Sequence, residues 1–282
     1  MSDAGEVRGN QRDRWEAAAP GWEQRAATVT AAGALVADWL VDAVQLSPGD
    51  RVLEVAGGLG DVGLLAAEAV GPSGEVLITD GAEAMVQGAA RRAEQSGLTQ
   101  VKVARMEAEW LDAETASFNA VLSRWGYMLV VDPEAALREA RRVLVPGGRI
   151  AIAVWRPLAA NPWMAIARAE FERRGLTVAP QPDAPDPFRF GGDGMIDDLL
   201  LNAGFIEVKT ESVDLVWTLA SLDDWWEHMR STSSILGRAA TDLSPAEHYD
   251  LRETLDEQYS QFLQPDSSLQ LPGSSWVSVA EA

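Results

Sequence analysis

The sequence predicts an α/β protein built on a doubly wound, mostly parallel sheet. Three observations carry this expectation. Five short apolar runs alternate with helix-like segments between Arg51 and Trp155. A glycine cluster, Gly57, Gly58 and Gly60, stands where the first run gives way to the first helix. An acidic residue, Asp80, ends the second run, 20 residues after Gly60. Strands that alternate with helices at this spacing form parallel sheets covered on both faces.

Taken in order, the elements read as follows. Asn10 to Ala43 is helical in pattern and holds Trp15, Trp22 and Trp39; Pro20 and Gly21 predict a break into two short helices. SPGD (Ser47–Asp50) is a turn. RVLEVAGG ends the first strand, and Asp61 to Val70 is a helix. EVLITD (Glu75–Asp80) is the second strand, and Glu83 to Ser96 is a helix closed by Gly97 as C-cap. Val101–Met106 and Phe118–Arg124 are the third and fourth strands. Pro133 to Leu144 is a helix with proline in its first turn, stopped by PGG (Pro146–Gly148), and Arg149–Trp155 is the fifth strand.

Beyond Trp155 the pattern changes. A proline-rich stretch that includes PQPDAPDP (Pro180–Pro187) cannot continue a sheet, so it reads as an insertion opening with a helix near Pro162–Arg173. Gly194–Phe205 returns to a helix, followed by a strand to about Trp217. Ser221 to Leu263 is helical, and Ser274–Ala282 is a last, short strand, giving about seven strands with the last antiparallel. The expected organisation is a helical lid (1–45), a core (46–155), a cap insertion (156–195) and a C-terminal part of the core (196–282) with a helical insertion (220–270).

The bulk composition bounds the function. With 282 residues, 47% hydrophobic and 23% charged, the chain reads as an ordinary globular protein. No apolar run stands out as a bilayer span, and the polar N-terminus lacks the apolar region of a secretory signal. The absence of cysteine excludes disulfides and thiolate chemistry, and with two histidines it argues against a zinc site. A cytoplasmic location follows as the expectation. A net charge of −20 repels phosphate backbones and anionic headgroups. The clustered arginines (Arg91 and Arg92; Arg138, Arg141 and Arg142) lie on amphipathic helices as solvated faces. A small-molecule substrate is expected, with no nucleic acid, membrane or metal partner; the oligomeric state is left open.

Glycines at a strand-to-helix turn bring the backbone close to a ligand, and the helix start points free N–H groups at it. A carboxylate ending the second strand accepts hydrogen bonds from ribose hydroxyls. Two ligand classes meet these demands. A dinucleotide fold has G-x-G-x-x-G facing a pyrophosphate. Here the run is acid-x-small-x-G-x-G, and Glu54 would repel a pyrophosphate but pair with an ammonium group. That favours a ligand with a cationic amino-acid end, as in S-adenosylmethionine (SAM).

At these residues the sequence resembles a known family. VLEVAGGLGD looks like motif I of the class I SAM-dependent methyltransferases, and LITDGAEAM like their second-strand motif. ARMEAEWL, SFNAVLSRWGYML and EAALREARRVLVPGGRIAIAVW resemble later motifs of the UbiE-like, type 11 branch. The resemblance is clear over about Trp15 to Trp163; AGFIEV (Ala203–Val208) also fits. It implies a Rossmann-like fold with helical cap insertions and transfer of a methyl group to an O, N or C atom of a small, partly apolar acceptor. The acceptor would be a secondary metabolite or quinone-like. A SAM-binding protein of the same fold with a non-methylating role, pericyclase-like or inactive, is the alternative.

The resemblance also assigns roles. Glu54 and the backbone around Ala56, Gly58 and Gly60 would hold the methionine moiety, and Asp80 the ribose. Gly81 and Met85 would flank the adenine, Glu107 and Ala108 would meet its edge, and Ser123 and Arg124 would lie beside the sulfonium. Three departures stand out: Ala56 for the first glycine, Gly81 for a larger apolar residue, and Asn119 for the usual aspartate. His228 and Tyr127 are the candidate catalytic groups. Trp15, Trp22, Tyr127, Trp163, Trp225 and Trp226 are the candidate acceptor-binding residues, the tryptophans forming an aromatic cap.

Overall fold

A computed structural model describes residues 4–180, 184–233, 235–241 and 243–282. Residues 181–183 of the proline-rich stretch, and the first three residues of the polar N-terminus, lie outside the described residues.

Seven strands form one sheet in the order β3-β2-β1-β4-β5-β7-β6. They are β1 (Arg51–Glu54), β2 (Glu75–Asp80), β3 (Val101–Arg105), β4 (Phe118–Arg124), β5 (Leu144–Trp155), β6 (Ile206–Leu219) and β7 (Leu269–Glu281). β1 to β5 pair in parallel; β7 runs antiparallel to both β5 and β6. The sheet is the doubly wound one expected. The final strand is not short: it starts at Leu269 and pairs along most of β6, because Leu269, Leu271 and Val277 are fully buried and extend the apolar face.

The parallel strands are linked by α3 (Asp61–Val70), α4 (Glu83–Gln95) and α5 (Pro133–Val143). Strand order reverses between β1 and β4. Right-handed crossovers therefore send α3 and α4 to one face and α5 to the other, and open a crevice at the carboxyl ends of β1 and β4. α5 begins where Asp132 caps it, its side chain accepting the Ala135 N–H at 2.9 Å. Asn119 accepts the Arg51 N–H at 2.9 Å and so pins the entry to β1.

The N-terminal helices differ from expectation. α1 (Ala4–Gln24) runs straight through Pro20, and the chain turns only at Arg25 before α2 (Ala26–Ala43). Proline removes one ladder bond, and tertiary contacts offset it: Ala18 and Ala19 are buried, and a Cβ on Gly21 would meet the Ser231 carbonyl oxygen at 2.0 Å. Gly21 is thus where α1 comes backbone-close to α8 (Leu222–Thr232). A second correction concerns α2, which is long and apolar enough by composition to cross a membrane. Its stripe of Val29, Ala32, Val36, Leu40 and Val41 is buried, and it packs against α3 and β4 to β7, as a core helix does.

The remaining helices are α6 (Pro162–Arg173), α7 (Met195–Asn202), α9 (Leu236–Thr241) and α10 (Pro245–Tyr259). The region expected as one helical insertion from Ser221 is three helices. Ser221 and Ser244 cap α8 and α10, the latter through a full capping box with Glu247.

Candidate active site

Glu54 ends β1 and is buried, 1% exposed. Its carboxylate accepts the Gly63 N–H at 2.9 Å, and a Cβ at Gly57 or Gly63 would stand 2.7 or 2.5 Å from its carboxyl group. Two of the local glycines therefore make room for this carboxylate. Burial pushes Glu54 up to about 8, with the nearby Asp61 charge adding to it against the Gly63 N–H. No lysine or arginine forms an ion pair with Glu54 among the described residues.

Asp80 ends β2. Its two oxygens accept the Gly58 and Ala82 N–H groups, each at 2.9 Å. Burial pushes its pKa up to about 6, the two N–H groups holding it back and Glu107 and Glu16 adding repulsion. Gly58 has φ of +56°, and a side chain there would meet nothing within 4 Å, so its backbone faces open space. Ala56 has φ of +51°, a conformation favoured by the glycine it replaces. Gly81 lets the chain lie close to Glu107: a Cβ would stand 3.1 Å from that carboxylate.

One pocket collects most of the cofactor-site candidates: Glu54, Ala56, Gly58, Asp80, Gly81, Met85, Glu107, Ala108 and Arg124. Gly60 and Ser123 are not in its lining. Gly60, at φ +79°, forms the turn into α3 against Ile78, and the Ser123 hydroxyl is buried without a partner. Arg124 turns its guanidinium to Asp61, which also pairs with Arg92 at 2.7 Å and accepts the Thr30 hydroxyl at 2.6 Å. Burial raises the Asp61 carboxyl, and the two arginines outweigh it and hold it below its ordinary value. Arg92 also donates to the Leu59 carbonyl at 2.8 Å, so this cluster grips the glycine turn from behind.

α1 closes the pocket. Arg12 pairs with Glu107 at 3.8 Å and Arg8 with Glu109 at 3.0 Å. The Glu16 carboxylate accepts the Glu83 and Ala84 N–H groups at 2.6 and 2.9 Å, capping α4 from another helix. Trp15 and Trp22 pack over Leu59, Ala82 and Met85.

A second cavity of about 670 Å³ adjoins the first and shares Gln11, Trp15, Trp22, Val29, Trp125 and Leu129 with it. Its lining includes Trp163, Trp225 and His228. Trp226 does not line it; that ring packs on His248 of α10, 5.0 Å away. Tyr127 is in neither lining: its side chain is buried, its hydroxyl has no partner, and burial raises its pKa. His228 is held down to about 4, first by burial and then by Arg25, with Asp224 opposing.

Trp125 was not singled out from the sequence. It follows β4 with φ of +60°, a rare backbone state for a bulky residue. Its ring is fixed by stacking on Trp155 (centroids 4.1 Å apart), by Arg124 at 4.7 Å and by donation to the Ser275 hydroxyl at 2.9 Å. The available signal was its place directly after the carboxyl end of a central strand.

Residues 34–172 match the model of the ubiE/COQ5 methyltransferase family. A ubiquinone/menaquinone biosynthesis C-methyltransferase UbiE from Cupriavidus metallidurans is 36% identical over 115 residues, covering 39% of this chain and 47% of that protein. The chain thus spans about half the length of this relative. Among solved structures, the YcgJ protein from Bacillus subtilis has a TM-score of 0.58 at 17% identity, over 88% of this chain and 98% of that one. The [4+2]-cyclase SpnF has a TM-score of 0.52 at 19% identity, over 87% and 79%. At such identities the structural likeness is one of fold. With the family match and the residues at the ends of β1 and β2, residues 34–172 of the chain are similar to the class I SAM-dependent methyltransferases of the UbiE-like type.

Proposed function

We propose that this protein transfers a methyl group from SAM to an O, N or C atom of a small, partly apolar acceptor. The observation that carries this reading is the wall common to the two cavities. One cavity holds the carboxylates of Glu54 and Asp80; the other is lined mainly by aromatic and aliphatic side chains.

The residues present suit the cofactor. Glu54, buried and without an ion-pair partner, suits an ammonium group. Each Asp80 oxygen accepts one backbone N–H and retains capacity for a ribose hydroxyl. Gly58 leaves open space before its backbone. When bound, SAM supplies an activated sulfonium methyl. The chain's own part is to align the acceptor with that methyl and to exclude water, which supplies ~7–11 kcal/mol in well-oriented reactions. Trp15 and Trp22 of α1 cover both cavities. His228, held neutral by burial, is a weak base, and Tyr127 reaches neither cavity, so positioning dominates. A soluble, small-molecule enzyme fits the acidic surface.

Methyl transfer from labelled SAM into a panel of phenols, quinols and amines tests the reading. Calorimetry with SAM and Asp80→Asn accompanies it. Tight SAM binding without transfer to any extract fraction would leave a non-methylating SAM protein instead.

A further inference from the structure

The two adjoining cavities differ in the sign of their charge. The cofactor cavity is lined by five carboxyl groups and three arginines. The second cavity, though mainly apolar, is lined among the described residues by three arginines, Arg14, Arg168 and Arg238, and two carboxylates, Glu172 and Asp186. His228 adds no charge, since burial holds its pKa down to about 4. The whole chain has 43 acidic residues and 23 basic ones, so a cavity with positive charge in excess runs against its composition.

The three arginines are not equivalent. Arg168 is held by both carboxylates, its Nε 3.1 Å from Glu172 and its Nη1 3.1 Å from Asp186. Arg14 of α1 donates to the Gln11 side chain at 3.3 Å and forms no ion pair among the described residues. Arg238 of α9 forms none there either, and it is exposed. The same helix shows the contrast: Arg8 and Arg12 line the cofactor cavity and pair with Glu109 and Glu107. Arg14 instead lines the second cavity with most of its five-donor fork unused.

Arg14 is half-buried, so its guanidinium has given up part of its water. A carboxylate is a strong replacement, because it takes two parallel, charge-assisted N–H bonds from the guanidinium fork. One positive charge in excess balances a single carboxylate, whereas a phosphate monoester brings closer to two negative charges. A cationic amine would meet like charge at both unpaired arginines. Neither Arg14 nor Arg238 lines the cofactor cavity, whereas Gln11 and Trp125 line both. A carboxylate on Arg14 is therefore an anchor held off the shared wall.

Resting on the methyltransfer reading above, we propose that the acceptor is an amphipathic monocarboxylic acid whose carboxylate is bound by Arg14. Arg238 adds attraction from the solvent side. The apolar body lies among the rings of the second cavity, and the methyl group goes to an atom other than the carboxylate, at the wall shared with the cofactor cavity.

Equilibrium dialysis of the full chain at neutral pH, saturated with S-adenosylhomocysteine, tests this with four probes of one body. They are biphenylacetate, biphenylacetamide, biphenylethylamine and biphenylmethylphosphonate. Biphenylacetate should bind about tenfold more tightly than the neutral amide, and the amine should bind most weakly. Arg14→Gln should weaken biphenylacetate about fivefold and leave the amide within about twofold. Arg14→Lys keeps the charge and should lose less than about threefold, as should Arg238→Gln, whose charge is screened by solvent. Equal binding of acid and amide would overturn the proposal, as would tighter binding of the amine or the phosphonate. So would an Arg14→Gln variant that weakens acid and amide alike, or no binding of any of the four. Failure of S-adenosylhomocysteine to bind would instead count against the methyltransfer reading, and the probe series is then read on the ligand-free protein.

Discussion

The indole N–H of Trp22 donates to the Thr232 carbonyl at 2.9 Å, tying α1 to the end of α8 across 210 residues of chain. One residue earlier, Gly21 lies so close to Ser231 that a methyl group would overlap its carbonyl oxygen. α1, whose Trp15 and Trp22 line both cavities, is therefore held to α8 where their backbones come close.

Gly21→Ala should separate α1 from α8. Such overpacking typically costs 1–3 kcal/mol, and here it should act on the lid. SAM dissociation, followed by stopped-flow fluorescence, should accelerate at least fivefold, with a smaller effect on thermal unfolding. Removing residues 1–25 should likewise damage turnover more than stability. An unchanged dissociation rate in Gly21→Ala would mark α1 as packing alone.

Glu54 and Asp80 make the ligand-free protein pH-dependent in a definite direction. Both folded pKa values, about 8 and about 6, stand above their ordinary carboxylate values. The folded state therefore keeps protons that the unfolded chain has released. Ligand-free stability should fall as pH rises from about 4.5 to 8, by at most ~1.4 kcal/mol per pH unit for each proton. SAM affinity should move the other way, increasing up to about pH 8, since its ammonium group binds ionised Glu54. Glu54→Gln should flatten the upper part of the stability slope in urea titrations at pH 5, 6.5 and 8, and a slope of the same size in that variant would exclude Glu54 as its source.

The Asp61 carboxylate balances two arginines, and the Arg124 side chain is only 7% exposed. Asp61→Ala leaves a buried cation uncompensated, a change that typically costs ~3–5 kcal/mol. Adding Arg124→Met should recover at least half of that loss in chemical denaturation. If the double variant is no better than the single one, the cost comes from α3 itself rather than from the stranded charge.

His228 and Tyr127 should separate cleanly. His228→Ala is expected to cost less than ~100-fold in kcat, the low end of general-base effects, because a histidine with pKa about 4 is a poor base at neutral pH. Tyr127→Phe removes a buried hydroxyl without a partner, so it should raise stability by about 1 kcal/mol and leave turnover within twofold. A loss of ~1000-fold or more in kcat for His228→Ala, with SAM binding intact, would make His228 the base.

Much of the fold and half of the candidate site were legible along the chain. The bounds of α3, β2 and β4 follow from apolar runs punctuated by glycine, aspartate and proline, all local signals. Glu54 and Asp80 were legible because each ends a strand beside the point where strand order reverses, and the ends of adjacent parallel strands converge there. Other readings failed for reasons outside the local pattern. Pro20 suggested a break, but contacts with α4 and α8 carry α1 through it.

What the sequence alone determined is the order of strands and helices, the glycine turn and the two carboxylates that face it. The tertiary structure decided which aromatic rings share a wall. Trp225 and Trp226 are neighbours on one helix, yet one lines the second cavity and the other packs on α10. Successive helical residues point about 100° apart, and only the elements packed on either side determine which of them meets the cavity. The ring contacts that run from Trp125, just after β4, to His228 depend likewise on β5, α6, β6 and α8 meeting there, a long-range packing outcome that no local window of residues contains.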